Sequence, residues 1–560
     1  MKLLSGLAAV ALAATTLTQP AYAAPLPTSP TADRAVQAGA TWLSGQLTNG
    51  LVFNDQFGGF NDYGLSADFA FALKAVGKDA TASSIVDAIE PVSDSWATGG
   101  TFAPNRVYAG SLAKLVSVAQ ATGKDATDFN GTDQVTRLED LVSSSAPLVG
   151  RLEDAGVDTN DPFDSDFVNV IGQSFAARAL TTAASTRAAD ATTFLLDQQC
   201  DAGFFRAQLN GDKADTQQGC TSADTGSVDT TALAVINILD TPGASRTARG
   251  AAALAADWLK GQQAADGSFS AGASEGYNAN TTGLAGWALS RAGESAAAAK
   301  AATWLRAVQI ADLAACATKL AADNGGVAYK PSILAAARTS GIAAAARDQY
   351  RRATAQALPA LASAPAANGT LGLSAPASAV ERSTVTVNVT GLGQGEAACV
   401  TLGSVAKPVT GTGSTVPVSF DLPAGVGART FTLTTLSGAS SATTAATATP
   451  PTVGKLAAAR VEKVTRNRFT LSVACESNVA CAGTLKVRSA GKVKLANGKK
   501  RELLLAKKAY TVTPGTTADV TLKLTKAARS ALGTMRLRVV AVQRTSGAEP
   551  ASTKFWLKRA

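Results

Sequence analysis

Six cysteines and 42 Asp and Glu, with not one histidine, bound the chemistry open to this chain of 560 residues. Without imidazole there is no Ser-His-Asp or Cys-His nucleophilic pair, no histidine general base, and none of the commonest zinc ligand. No Gly-rich phosphate loop opens a helix, and neither H-E-x-x-H nor C-x-x-C occurs. An acidic pair, Asp164-Ser165-Asp166, follows Asn160 and Asp161. Carboxylates at that spacing have the oxygen donors to hold calcium, but they equally suit the entry of a helix, where a cap and loop acids are favoured. Of the cysteines, Cys200 and Cys220 share one loop and Cys475 and Cys481 stand six apart, so both are expected as local disulfides. Cys316 and Cys399 remain, either to join two domains or to stay as thiols. An even cysteine count without histidine favours disulfides in an oxidising compartment over metal binding.

The N-terminus supports the same compartment. Met1-Lys2, an apolar run from Leu3 to Leu17 and the small-residue site Ala21-Tyr22-Ala23 have the order of an export signal cleaved after Ala23. That run is shorter than a membrane span requires.

The elements that must position any site repeat between about residues 30 and 362. Each unit is predicted as a helix, a Gly-rich turn and a second, Ala-rich helix. The first has Trp42-Leu43, Gln46, Gly58-Gly59-Phe60 and Ala67-Asp68-Phe69-Ala-Phe71. Another has Gln199, Asp201-Ala-Gly203-Phe204 and Ser227-Val-Asp229-Thr-Thr-Ala232. A further copy is Trp258-Leu-Lys-Gly-Gln262-Gln263, Asp266-Gly267-Ser-Phe269 and Asn280-Thr-Thr, ending in Trp287. Weaker copies fall near 80–123, 132–184 (with Gln173) and 296–340. Each pair has an apolar face that it cannot bury alone, so the pairs stack, and six of them give a closed ring.

The string Gln-x-x-Asp-Gly-x-Phe followed by an Ala-rich helix resembles the prenyltransferase and squalene-cyclase repeat. The resemblance covers about 330 residues and implies an α6/α6 toroid with a central cavity, the fold of the terpenoid cyclases. Zinc-dependent prenyl transfer is disfavoured because that site needs histidine. A thioester is disfavoured because the nearest string, Gly393-Gln-Gly-Glu396-Ala-Ala-Cys399, has the wrong order. Class II cyclases protonate an alkene with the middle Asp of Asp-x-Asp-Asp-Thr-Ala, and the resemblance lays Asp229 on that position. The flanking aspartates are replaced by Ser227 and Thr230, which leaves a weaker acid, and Asn280-Thr281-Thr282 fills the same slot in the next unit. A helix-capping role therefore competes with acid catalysis. Asp68, Gln173, Tyr277, Asn280 and Trp287 are the further candidates to line a cavity.

Beyond Pro359 the pattern changes to alternation. Thr384–Thr390, Val416–Leu422 and Arg429–Thr434 have the two-residue period of strands. Residues 370–450 are expected as an immunoglobulin-like sandwich, and 455–560 as a second strand-rich domain. Residues 453–560 hold 23 Lys and Arg against 5 Asp and Glu, while the remainder carries an excess of nine acids. Such a module suits anionic cell-envelope polymers better than nucleic acid, because it has few aromatics and the chain is expected to be exported.

The expected architecture is thus multi-domain α and β: a signal (1–23), an α6/α6 toroid (30–362), an immunoglobulin-like β-sandwich (370–450) and a basic C-terminal β domain (455–560). The expected function is a secreted, cell-surface-associated, non-catalytic binder of an apolar or mixed small molecule, with no cofactor and no metal. The alternatives are a cyclase-like enzyme acting on an isoprenoid through Asp229, and an adhesive or structural surface protein.

Overall fold

The computed structural model describes residues 26, 29–55, 59–100, 103–158, 160–161, 164–313, 316–436, 438–447, 456–477, 479–495, 498–533 and 535–560. The expected export signal, and the turn residues Gly58 and Phe102, lie outside them.

Among the described residues, fourteen α-helices occupy the first part of the chain. They are α1 (Pro30–Ser44), α2 (Tyr63–Ala75), α3 (Asp79–Ile89), α4 (Ser93–Ala97), α5 (Ala109–Ala121), α6 (Gln134–Glu139) and α7 (Val170–Thr182). There follow α8 (Ala188–Leu196), α9 (Val228–Leu239), α10 (Arg246–Gln262), α11 (Ala279–Arg291), α12 (Ser295–Val308), α13 (Pro331–Ser340) and α14 (Arg347–Leu361). Their packing order closes on itself. Helix α2 lies against α5, α5 against α7, α7 against α9, α9 against α11, α11 against α14, and α14 against α2. Each of the six also packs on an outer helix: α3, α6, α8, α10, α12 and α1 in the same order.

Sequence explains which helices go inside. An inner helix meets neighbours on both sides and an outer helix behind, so it is apolar nearly all round; α9 reads Val-Asp-Thr-Thr-Ala-Leu-Ala-Val-Ile-Asn-Ile-Leu. Outer α10 keeps a polar face and buries a stripe of alanines with Leu259. Small residues set the close approach: a Cβ on Gly283 of α11 would stand 2.5 Å from the Gln356 carbonyl oxygen of α14. Side-chain caps start four of the six inner helices, with Asp62, Asn169, Ser227 and Asn278 accepting from the amide three residues on.

The repeated Gln and Gly bind one unit to the next. Gln199 donates to the carbonyls of Gly203 and of Ala251 in α10, and Gln263 to those of Gly267 and of Ala297 in α12. Gln309 does the same for Gly325 and for Ala35 in α1, joining the last unit to the first. At Gly267 φ is 95° and at Gly325 it is 96°, in the left-handed region that glycine tolerates. A Cβ there would lie 2.3 Å from the Lys300 carbonyl oxygen and 2.1 Å from that of Ala38, so these turns rest directly on the neighbouring outer helix.

All six cysteines are paired. Cys200–Cys220 and Cys475–Cys481 form as expected, and Cys316 joins Cys399, with Cα atoms 5.2, 5.7 and 5.9 Å apart respectively.

By contacts the chain groups into two compact units, one of residues 1–373, 388–418 and 431–441, the other of 374–387, 419–430 and 442–560. The strands between 372 and 447 are thus divided. In the first unit Ala397–Leu402 pairs antiparallel with Val405–Thr410 and with residues 431–434. Arg34 of α1 there clasps the buried Glu396 at 2.6 and 2.8 Å. In the second unit a five-stranded sheet runs in the order Val461–Val464, Ala551–Arg559, Leu537–Thr545, Cys481–Ser489, Leu504–Val512. Strands Arg468–Ala474 and Thr517–Lys523 form a second pair, and both sheets bury a core around Phe469, Leu485, Leu522, Phe555 and Leu557. A short helix, α15 (Lys526–Leu532), precedes the strand Leu537–Thr545 and was not foreseen. Among the described residues no helix is long and apolar enough to cross a membrane.

Candidate functional site

The six inner helices surround a cavity of about 410 Å³. Every one of them contributes to its wall: Asp68 and Phe71 from α2, Lys114 from α5, Phe175 and Arg178 from α7, Leu233 and Asn237 from α9, Leu284 and Trp287 from α11, and Gln356 from α14. Five of the six inner helices have at most two charges, because most of their surface is buried, while α14 carries Arg347, Asp348, Arg351 and Arg352 in its first two turns. Lys114, the one charge in α5, and Arg178, the one in α7, line the cavity. Sequence reasoning passed over both, although a lone cation in an Ala-rich helix was the available signal.

These groups form a connected set. Lys114 Nζ is 2.6 Å from Asp68 and donates to the Gly64 carbonyl at 3.0 Å. Arg178 donates to the Asn237 side-chain oxygen at 3.2 Å, and the Asn237 amide donates to Ser174 at 2.9 Å. Phe71 and Phe175 stack with centroids 5.7 Å apart, Arg178 lies 5.2 Å over Phe71, and Lys114 lies 6.0 Å over Phe175. The rings thus already stabilise cations of the protein itself. Opposite them the wall is Leu233, Ile236, Leu284 and Trp287. Two polar side-chain atoms of these wall residues, the Trp287 indole nitrogen and the Gln356 side-chain oxygen, are buried out of reach of solvent and without a hydrogen-bond partner among the described residues. A second cavity of about 360 Å³ lies among α7, α8, α9 and α10, and shares Arg178 and Asn237 with the first.

The candidates from sequence divide. Asp68 and Trp287 face the central cavity. Gln173 is fully buried and structural: its oxygen accepts from the Leu152 amide, and its nitrogen donates to the carbonyls of Gly150 and Ala191. Tyr277 is 54% exposed, and neither it nor Asn280 lines the cavity. Phe60 is likewise exposed, and Phe69 is core.

Asp229 sits in the first turn of α9, behind the Ser227 cap, and is not part of the cavity wall. Its carboxyl is held above the ordinary carboxylate range by burial, against a smaller opposing effect of the nearby Thr281 hydroxyl. One carboxylate oxygen, the Thr281 hydroxyl and the Asn280 side-chain oxygen are buried without reaching hydrogen-bond geometry. The neighbouring threonine has a plain structural role: Thr231 Oγ1 accepts from the Phe205 amide at 3.0 Å. Thr282 does this for Phe269 at 2.9 Å and Thr354, which follows an alanine, for Val327 at 2.8 Å, so the second threonine of the pair is a repeat feature that ties the turn to its inner helix.

The acidic loop at Asp164 and Asp166 is matched by cations of the chain. Asp164 is 3.1 Å from Arg106, and Asp166 is 2.9 Å from Lys213 and 3.8 Å from Arg151. Asp154, at the cavity edge, accepts from the Ala109 amide at the start of α5 and pairs with Arg106 at 3.2 Å; burial raises its pKa all the same. Among the described residues no group of acids or cysteines could hold a metal ion.

No protein-family model matches the chain, and no curated protein does. Among solved structures it is similar to a protein from Actinoplanes at 18% identity, over 59% of this chain and 99% of that one, with a TM-score of 0.39. It is also similar to the type II terpene cyclase MstE from Scytonema at 13% identity, over 59% and 97%, with a TM-score of 0.38. For the ent-copalyl diphosphate synthase from Streptomyces platensis the figures are 16% identity, 54% and 50% coverage, and a TM-score of 0.33.

Proposed function

We propose that this chain is a secreted, surface-associated binding protein whose helical ring, an α6/α6 toroid, holds a small molecule with an apolar body and a polar group. The carrying observation is the cavity wall, where the polar side chains of Asp68, Lys114, Arg178 and Asn237 stand beside leucine, phenylalanine and Trp287. Its volume is in the range of small-ligand pockets, about 300 to 1,000 Å³. Three disulfides suit an oxidising compartment, as an exported protein meets. The strands of 370–450 serve as an immunoglobulin-like connector in this reading, and the basic C-terminal domain keeps the protein at an anionic envelope.

The runner-up, a cyclase acting through Asp229, draws on one observation: burial favours the protonated carboxyl. Against it, the cavity aromatics already carry Lys114 and Arg178, and Asp229 stands outside the wall. The test is to incubate the full chain with an envelope lipid extract and to identify retained compounds by chromatography and mass spectrometry. A compound retained unaltered by wild type and by Asp229→Asn, but weakened by Trp287→Phe, is the expected result. An isomerised product that disappears in Asp229→Asn would make the protein a cyclase, and no retained compound at all would leave only the structural role.

A further inference from the structure

The five-stranded sheet of the C-terminal unit turns one face inward through Leu485, Val487, Val539, Ala541, Phe555 and Leu557. The alternate residues form the other face, and their register can be followed across the strands. Lys486 stands opposite Lys507 on one side and Val542 on the other. Arg488 stands opposite Val540, which in turn faces Lys554. Arg538 is opposite Trp556, and Lys463 is opposite Lys558. With Arg544, opposite Thr484, the face presents eight cations and no carboxylate at any paired position. It spans five strands, on the order of 20 Å.

This arrangement works against the fold. Two pairs of like charges are set directly opposite each other, which destabilises a sheet. Directly opposed residues are about 5 Å apart, inside the screening length of roughly 8 Å at physiological salt, so the repulsion is felt. Among the described residues, no carboxylate at a paired position of the face neutralises it. In the middle lies Trp556, 37% exposed, with a flat indole between cations. An extended polyanion would supply the missing charge, and a sugar ring in its backbone would supply a flat partner for the indole.

We propose that this face binds an acidic polysaccharide, with Lys486, Lys507, Arg488 and Lys554 pairing its anionic groups and Trp556 stacking on a sugar ring. The proposal rests on the surface association argued above and gives it a chemical class. It is independent of the ring cavity.

The experiment measures binding of the full chain to polygalacturonate over a range of salt concentrations, with single-stranded DNA and vesicles of equal parts phosphatidylcholine and phosphatidylserine as alternative partners. The expected result has three parts. Wild type binds the polysaccharide with a strong salt dependence. Lys486→Gln with Lys507→Gln lowers the slope of log affinity against log salt by about two, one for each cation removed. Trp556→Ala weakens binding about tenfold at an unchanged slope, because stacking is not ionic. All of these side chains are on the outer face, and a melting temperature no lower than that of wild type verifies that the variants fold. Absence of binding by wild type, indifference to both sets of substitutions, or tighter binding of DNA or vesicles than of polygalacturonate overturns the proposal. Retention of a small molecule in the cavity, measured on the same variants, is expected to be unchanged. Absence of polysaccharide binding by wild type with cavity retention intact therefore fails this inference alone, and wild-type polysaccharide binding without cavity retention fails the cavity reading alone.

Discussion

Asp229 carries its proton more readily than an exposed aspartate because burial penalises the charged form more than Thr281 relieves it. The sign of its effect on stability follows. Between the ordinary carboxylate value and the raised native one, the native state holds the proton more tightly than the unfolded chain, so stability falls as pH rises through that window. At neutral pH the ionised carboxylate is therefore a cost, and Asp229→Asn removes it. The variant is expected to be more stable than wild type at pH 7 and equal to it below about pH 4. Thermal melts at the two pH values check this. A variant less stable at pH 7 would mean that the carboxylate has a charged partner. At this scale the sequence was a partial guide. The resemblance singled out Asp229, but the cavity is polarised by Lys114 and Arg178, whose importance depends on which face of an inner helix they occupy, and that is set only when the ring closes.

The helix pairs were legible because their signals are local and repeated: caps, alanine stripes, and the Gln and Gly of the turns. What the pattern did not disclose is the target of each turn. Gln309 reaches Ala35 across 274 residues, and Gly325 rests on Ala38, so the last unit holds the first by the device that joins Gln263 and Gly267 to α12. This gives a graded prediction. Gly243 and Gly325 both have positive φ, 76° and 96°, but a Cβ on Gly243 meets nothing within 4 Å, while on Gly325 it meets the Ala38 carbonyl. Gly243→Ala should cost about 1 kcal/mol, the strain of the left-handed backbone alone. Gly325→Ala adds a backbone clash and should exceed about 3 kcal/mol, with the closure between α1 and α14 loosened first. Urea unfolding measures both, and equal effects would refute the closing role of that turn. The short helix α15 escaped notice because seven residues give too little periodicity to separate it from a strand edge.

Charge differs most between parts of the chain at the scale of the whole molecule. Residues 453–560 carry 23 basic against 5 acidic residues, whereas in the ring acids are set against cations, as at Asp164 with Arg106 and Asp240 with Arg291. The composition shift at Pro359 made this division visible in the sequence, but the sharing of the strands between 372 and 447 by two compact units was not, since it depends on Cys316–Cys399 and Arg34–Glu396 closing over long separations. The two charge regimes should respond differently to salt. Self-repulsion of the basic sheet falls as the screening length shortens from roughly 30 Å at 0.01 M to roughly 8 Å at 0.15 M. Opposed pairs such as Lys486 with Lys507 then cost less, and the unit that contains them is stabilised by several tenths of a kcal/mol per pair. Screening weakens the ring's exposed ion pairs instead, each of which is worth about 0 to 1 kcal/mol, so its stability is unchanged or slightly lower. Calorimetry over that range should therefore show two transitions that move apart or cross, with the one assigned to the C-terminal unit rising. An acidic polysaccharide at low salt should raise the same transition, because a ligand that binds only the folded sheet adds its own stabilisation. If that transition does not respond to salt, the eight cations do not repel one another enough to call for a polyanion, and the basic face is a solubilising surface.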